Sequence, residues 1–119
     1  ADGYLSITDR KKDVIITGGE NVSSIEVEDA LLHHPAIREV AVIGIPDEQW
    51  GELVTALVVT DGSEVGADEI VAFAREHLAG YKIPRRVLFR DELARTATGK
   101  LQKAKLREPF WEGLDRKVH

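Results

Sequence analysis

At 119 residues the chain has the size of one domain, long enough to bury roughly 65% of its unfolded surface around one core. Its 43% hydrophobic and 31% charged residues are those of an ordinary globular protein. The formal charge of -5 speaks against a nucleic-acid partner, which needs a basic face. With no cysteine, disulfides, thiolate catalysis and cysteine-based metal sites are excluded. No apolar run approaches the ~18 residues of a membrane span, and no secretory signal is visible. Local basic clusters do occur, at Arg10–Lys12, Lys82–Arg86 and Lys100–Arg107.

Asp2-Gly3 followed by Tyr4-Leu5-Ser6-Ile7-Thr8 reads as a hairpin turn feeding an alternating strand. Its partner would precede Asp2, and the chain does not start with Met, so the expectation is the tail piece of a longer protein. A processed or tagged terminus is the alternative. Val14-Ile15-Ile16-Thr17 is a β-branched run ending at Gly18-Gly19. Joined to the opening strand through Asp9–Asp13, it makes a small hairpin or meander.

Ser23 and Glu26 form a capping box, with Val22 and Val27 at staple spacing, so a helix starts there directly after the glycines. Val27, Ala30, Leu31 and His34 share its inner face, and Pro35 ends it. Ile37–Ile45 and Glu52–Thr60 read as central strands covered on both faces, because their apolar runs are nearly continuous. Ala67–Ala79 is an amphipathic helix with Ile70, Phe73, Ala74, His77 and Leu78 inward and Gly80 as C-cap. Arg86–Phe89 is a short strand. From Gln102 the tail is basic and partly helical, broken or restarted at Pro109. The order β-β-α-β-β-α-β-α, with strands in adjacent pairs, predicts an α+β fold: a small antiparallel β-sheet with packed helices plus an N-terminal β-hairpin.

Two stretches could carry chemistry. "TATGKLQKAKLR" (Thr96–Arg107) is not a P-loop, because Ala94 and Leu101 stand where a glycine and a Ser/Thr are needed. It is a Thr/Gly-rich turn presenting Lys100 on a flexible tip, suited to stabilising charge on phosphate or carboxylate oxygens. A solvated surface lysine is the alternative. Gly18-Gly19 reads either as a turn needing positive φ or as a place where a ligand passes close to the backbone, with Asn21 nearby to hydrogen-bond an amide-rich chain. It lacks the third glycine of a dinucleotide fingerprint. His33, His34, His77 and His119 do not make a metal motif, and none is expected. Trp50, Trp111 and Tyr4 read as core or interface aromatics. Tyr81 beside Lys82 reads as a packed tyrosine or as a base-stacking pair with a cation.

"DGYLSITDRKKDVIITGGENVSSIEVEDALLHHPAIREVAVIGIPDEQWGE", "YKIPRRVLF" and "RTATGKLQKAKLR", in this order and spacing, resemble the C-terminal domain of the adenylate-forming acyl-CoA synthetase superfamily. The resemblance covers essentially the whole chain. It implies an enzyme that uses ATP to make an acyl-AMP from a carboxylic acid, expected to be a fatty acid, and then transfers the acyl group to CoA. The small domain is mobile and rotates between the two steps. Residues 1–12 are then the end of the larger N-terminal domain and the hinge, and residues 13–119 are the C-terminal domain.

By the same resemblance Lys100 is the catalytic lysine of adenylation. Gly18, Gly19, Glu20 and Asn21 line the pantetheine tunnel in thioester formation. Lys12 is the hinge, Arg10 contacts the ribose, and Tyr81 and Lys82 fall where some members contact the adenine and phosphates of CoA. Magnesium is implied by ATP, with its ligands expected outside this chain. The partner is the missing N-terminal domain, the expected location is the cytoplasm, and the chain alone is expected to be inactive. Two departures stand out: Ser24 and Ala94 occupy positions where many members have proline, and Ala94 is expected to loosen the Lys100 loop. A ligase that loads a carrier protein and a stand-alone non-catalytic binding module are the alternatives.

Overall fold

A computed structural model describes residues 14–118, with side chains through Glu112. Tyr4, Arg10, Lys12, His119 and the expected opening hairpin at Asp2–Thr8 lie outside the described residues. The elements are β1 (Val14–Thr17), β2 (Glu20–Ser23), α1 (Ser24–Leu31), β3 (Ile37–Asp47), β4 (Gly51–Thr60), α2 (Ala67–His77), a 3-10 turn (Gly80–Lys82), β5 (Arg86–Phe89) and α3 (Lys103–Val118).

β3 and β4 form the frame, an antiparallel pair in register from Glu39↔Val59 to Asp47↔Gly51. Asp47 closes it: its carboxylate accepts the backbone N–H groups of Gln49 (3.1 Å) and Trp50 (2.9 Å). β3 occupies one edge of β4. The other edge is shared by β1, which meets β4 at Thr17↔Gly51, and β5, which runs parallel from Thr55↔Arg86 to Val58↔Phe89. The sheet is therefore antiparallel except for this last pair.

Alternation along the two long strands sends side chains to both faces. Val40, Val42, Val54, Ala56 and Val58 pack with Val27 and Leu31 of α1 and Ile70 and Ala74 of α2. Ala41, Ile43, Ile45, Leu57 and Val59 pack instead with Leu93, Leu101, and Leu106 and Phe110 of α3. The Trp111 indole N–H donates to the Gly44 carbonyl (2.8 Å), seating α3 on β3. Burial of β3 and β4 on both faces agrees with their apolar runs.

Several local expectations differ. Gly18-Gly19 joins two strands rather than a strand and a helix, because Glu20–Ser23 pairs back on β1. Ser23 is thus both a strand residue and the N-cap of α1, its hydroxyl accepting the Glu26 N–H at 3.3 Å. α1 ends at Leu31, ahead of Pro35, and α2 ends at His77, with Leu78 in the C-cap position that Gly80 was expected to fill. His77 is exposed rather than inward, its ring stacked on Phe73 with centroids 4.4 Å apart. α3 runs through Pro109 without a break. Pro109 and Lys105 are both exposed, so water can satisfy the carbonyl that proline leaves without its helical donor.

Candidate functional site

The Lys100 loop is a closed turn. Arg95 and Leu101 form an antiparallel bridge, and below it the Gln102 N–H donates to the Ala94 carbonyl at 2.9 Å. Inside, the Thr96 N–H donates to the Lys100 carbonyl (2.8 Å), and the Thr96 hydroxyl accepts the Lys100 N–H (3.1 Å). Gly99, at φ +90°, makes the reversal. Lys100 thus sits on the returning leg with its backbone pinned, not on a flexible tip. The Ala94 carbonyl helps to close the turn. The Lys100 side chain is exposed, and among the described residues no hydrogen bond or ion pair holds its ammonium.

The Gly18-Gly19 turn is the two-residue connection of the β1–β2 hairpin, with φ of +57° and +84° at its two central residues. Positive φ at both is the condition for a turn whose twist matches the strands, which explains a glycine pair. The two glycines are not equivalent. Gly18 donates its N–H to the Trp50 carbonyl (2.8 Å), and a Cβ there would lie 2.8 Å from the indole ring. A Cβ on Gly19 would meet nothing within 4 Å. So Gly18 is needed for packing, while Gly19 faces open space with Glu20 and Asn21, which are exposed.

Arg85 stacks its guanidinium over the Trp50 ring, 4.0 Å from its centroid. The 3-10 turn that carries Tyr81 and Lys82 lies against β2. Tyr81 is exposed, and Lys82 pairs with Glu26 at 2.9 Å. That hydrogen bond raises the pKa of Lys82. Beside the turn is an open groove of about 690 Å³, lined in part by Asp68, Arg75, Gly80 and Arg85. Trp50 and Arg85 were missed as site residues. Their contact spans a strand, a loop, a helix and a 3-10 turn, and no local spacing announces it.

The two loops are fixed at opposite ends of β3. Arg95 pairs with Glu39 near the start of that strand, with Nε at 3.0 Å from Oε1. The glycine turn is fixed through Trp50, beside Asp47 at its end. Eight residues of strand at ~3.3 Å each separate those anchors by roughly 26 Å. The lysine and the glycine turn are therefore two separate places, while Tyr81, Lys82, Trp50 and Arg85 belong with the turn. Among the described residues no group of three or more His, Asp or Glu side chains is gathered to hold a metal ion. No helix among them is long and apolar enough to cross a membrane.

Residues 26–100, more than half of the chain, match the family described as AMP-binding enzyme C-terminal domain. The chain is 49% identical over 109 residues to a long-chain-fatty-acid–CoA ligase of Mycobacterium tuberculosis, covering 92% of this chain and 22% of that protein. It is 48% identical over 110 residues to a feruloyl-CoA synthase of Amycolatopsis, with the same coverage of 92% and 22%. Among solved structures, a Mycobacterium tuberculosis fatty acyl CoA synthetase superposes with a TM-score of 0.80 at 47% identity, over 83% of this chain and 20% of that one. ATP-bound MatB from Rhodopseudomonas palustris gives 0.81 at 40% identity, over 84% and 20%. The chain thus spans about a fifth of the length of these relatives. It belongs to the C-terminal domain family of the AMP-binding, adenylate-forming enzymes.

Proposed function

We propose that the protein carrying this chain is an AMP-forming acid–thiol ligase. It joins a carboxylic acid to ATP, releasing pyrophosphate and giving an acyl-AMP, and then lets the thiol of CoA displace AMP. A fatty acid is the proposed acyl donor, on the similarity to the Mycobacterium tuberculosis ligase. Residues 1–12 are the proposed end of the N-terminal domain and hinge, with Lys12 the pivot and Arg10 at the ribose. Magnesium would enter with ATP, held by residues outside this chain, and the proposed location is the cytoplasm.

The observation that carries this reading is the separation of the two loops along β3. A carboxylate and a phosphate repel as they approach, and an ammonium between them lowers that barrier only if it is already in place. Lys100 is an exposed cation without a partner among the described residues, on a backbone that Thr96 pins. Thioester formation needs a narrow path for a thiol, and Gly19 offers backbone with open space above it. Two loops whose anchors stand roughly 26 Å apart along one strand cannot serve one reaction centre together. They can serve it in turn if the domain rotates. Tyr81 and Lys82 would then accompany the glycine turn to the nucleotide end of CoA.

The test is a pair of half-reaction assays on the intact protein. Lys100→Ala should slow pyrophosphate release by at least about 100-fold, while thioester formation from supplied acyl-AMP stays near the wild-type rate. Equal losses in both would overturn the alternating assignment. Saturable turnover with free CoA, rather than with a carrier-bound thiol, identifies the acceptor.

A further inference from the structure

Both legs of the Lys100 loop end in an ion pair to a different element of the core. On the outgoing leg, the Arg95 guanidinium pairs with Glu39 of β3 and donates from Nη1 to the Gly99 carbonyl at 2.6 Å. One side chain thus bridges the frame and the peptide that immediately precedes Lys100. On the returning leg, three residues past Lys100, the Lys103 ammonium lies 2.7 Å from the Glu28 carboxylate and donates to the Ser24 hydroxyl at 2.8 Å. Glu28 in turn accepts the Val42 N–H of β3 at 2.8 Å. The Lys103 and Glu28 side chains are only 13% and 12% exposed.

A buried ion pair is a poor way to gain stability, since desolvation offsets much of the attraction. Its usual return is a fixed geometry. Hydrogen bonds within the loop close it on itself but do not tie it to the frame: Thr96 to Lys100 lie outside the main sheet, and Leu101 is the loop residue that reaches the core. The glycine hairpin, by contrast, is held by the β1–β2 ladder and by Trp50.

We infer that Arg95–Glu39 and Lys103–Glu28 are positioning pairs that aim Lys100, so that they act on adenylation and not on thioester formation. This rests on Lys100 being the adenylation lysine. None of the four residues touches substrate; they set where the Lys100 Cα stands, and the ammonium's reach follows from that.

The experiment uses the intact protein with Arg95→Lys, Lys103→Met, Lys103→Arg and Lys100→Ala, each assayed in both half-reactions. Lysine at position 95 keeps the charge but cannot span Glu39 and Gly99 together. Arg95→Lys and Lys103→Met should lower kcat for pyrophosphate release by about 10- to 100-fold with KM for ATP little changed, since a displacement near 1 Å costs about that much. Thioester formation from supplied acyl-AMP should be unchanged, and Lys103→Arg should recover most of the lost rate. Should Lys103→Met unfold, Arg95→Lys, on a side chain 40% exposed, decides alone. A full adenylation rate in Arg95→Lys beside a dead Lys100→Ala overturns the inference and leaves the function standing. A full rate in Lys100→Ala overturns the reading beneath it.

Discussion

The two candidate loops solve the same problem with different chemistry. The glycine turn, in the proposed function, must keep its backbone bare, and it is held by an aromatic ring: Gly18 rests on Trp50, and Arg85 stacks on Trp50. The lysine loop, in the proposed function, must keep one charge free, and it is held by other charges and by hydroxyls. Arg95, Thr96 and Lys103 are all engaged, while among the described residues the Lys100 ammonium is not. A hydrophobic seat tolerates no added atom, whereas a polar seat tolerates small changes and loses aim. That difference predicts which substitutions damage the fold and which damage only the chemistry.

The largest expected effect is at Gly18. Alanine there adds left-handed strain of about 1–2 kcal/mol and a Cβ 2.8 Å from the Trp50 ring, which costs a further 1–3 kcal/mol or so. Gly18→Ala should destabilise the 119-residue chain by about 3 kcal/mol, read as a fall in Tm of roughly 10–15 °C. An unchanged Tm would mean that Trp50 is not the seat of the turn. Gly19→Ala is the contrast. It carries strain of about 1–2 kcal/mol and no clash. Its Tm should fall less, while its methyl group enters the proposed thiol path. Thioester formation should therefore drop with adenylation intact, and equal behaviour of the two glycine variants would break the comparison.

How much of this could be read in the sequence follows the same division between local and distant causes. β3 and β4 were legible because burial on both faces leaves long apolar runs, and α1 because Ser23, Val22 and Val27 act within one turn. β2 was not legible. Its four residues, Glu-Asn-Val-Ser, have no strand pattern of their own, and its last residue doubles as the helix cap, which drew the whole segment toward the helix. β5 was found, but its parallel direction depends on the path of the chain around α2, which its four residues do not encode. In the candidate site Lys100 and the glycine pair stood out by composition. Trp50 over Gly18, Arg85 over Trp50, Arg95 on Glu39 and Lys103 on Glu28 join residues 32 to 75 positions apart, and only folding brings them together.

On the polar side the sharper probe is Thr96→Val, which keeps shape and removes the hydroxyl that accepts the Lys100 N–H. The lost bond is worth about 1 kcal/mol, so Tm should change little. Pyrophosphate release should slow by roughly tenfold because the lysine's backbone is held by one bond fewer. Thioester formation serves as the internal control. A variant with wild-type adenylation would show that the Arg95 and Lys103 anchors suffice without the hydroxyl.

The smallest expected effect lies in the Lys82–Glu26 pair, which ties the 3-10 turn to the first turn of α1. Both side chains are partly exposed, so water screens the attraction and little stability rides on it. Its pH dependence still has a definite sign. The Glu26 hydrogen bond raises the pKa of Lys82 above its ordinary value. The folded state therefore holds the proton more tightly than the unfolded chain does. That contribution is complete below the ordinary lysine pKa of about 10.4 and disappears as the pH rises through the higher folded value. Lys82→Met should lower Tm slightly near about pH 8 and progressively less as the pH rises through the folded lysine pKa, where wild type loses the same interaction. A gap that widened with pH would mean that Lys82 stabilises the fold through its hydrocarbon stem against Tyr81 and not through its charge.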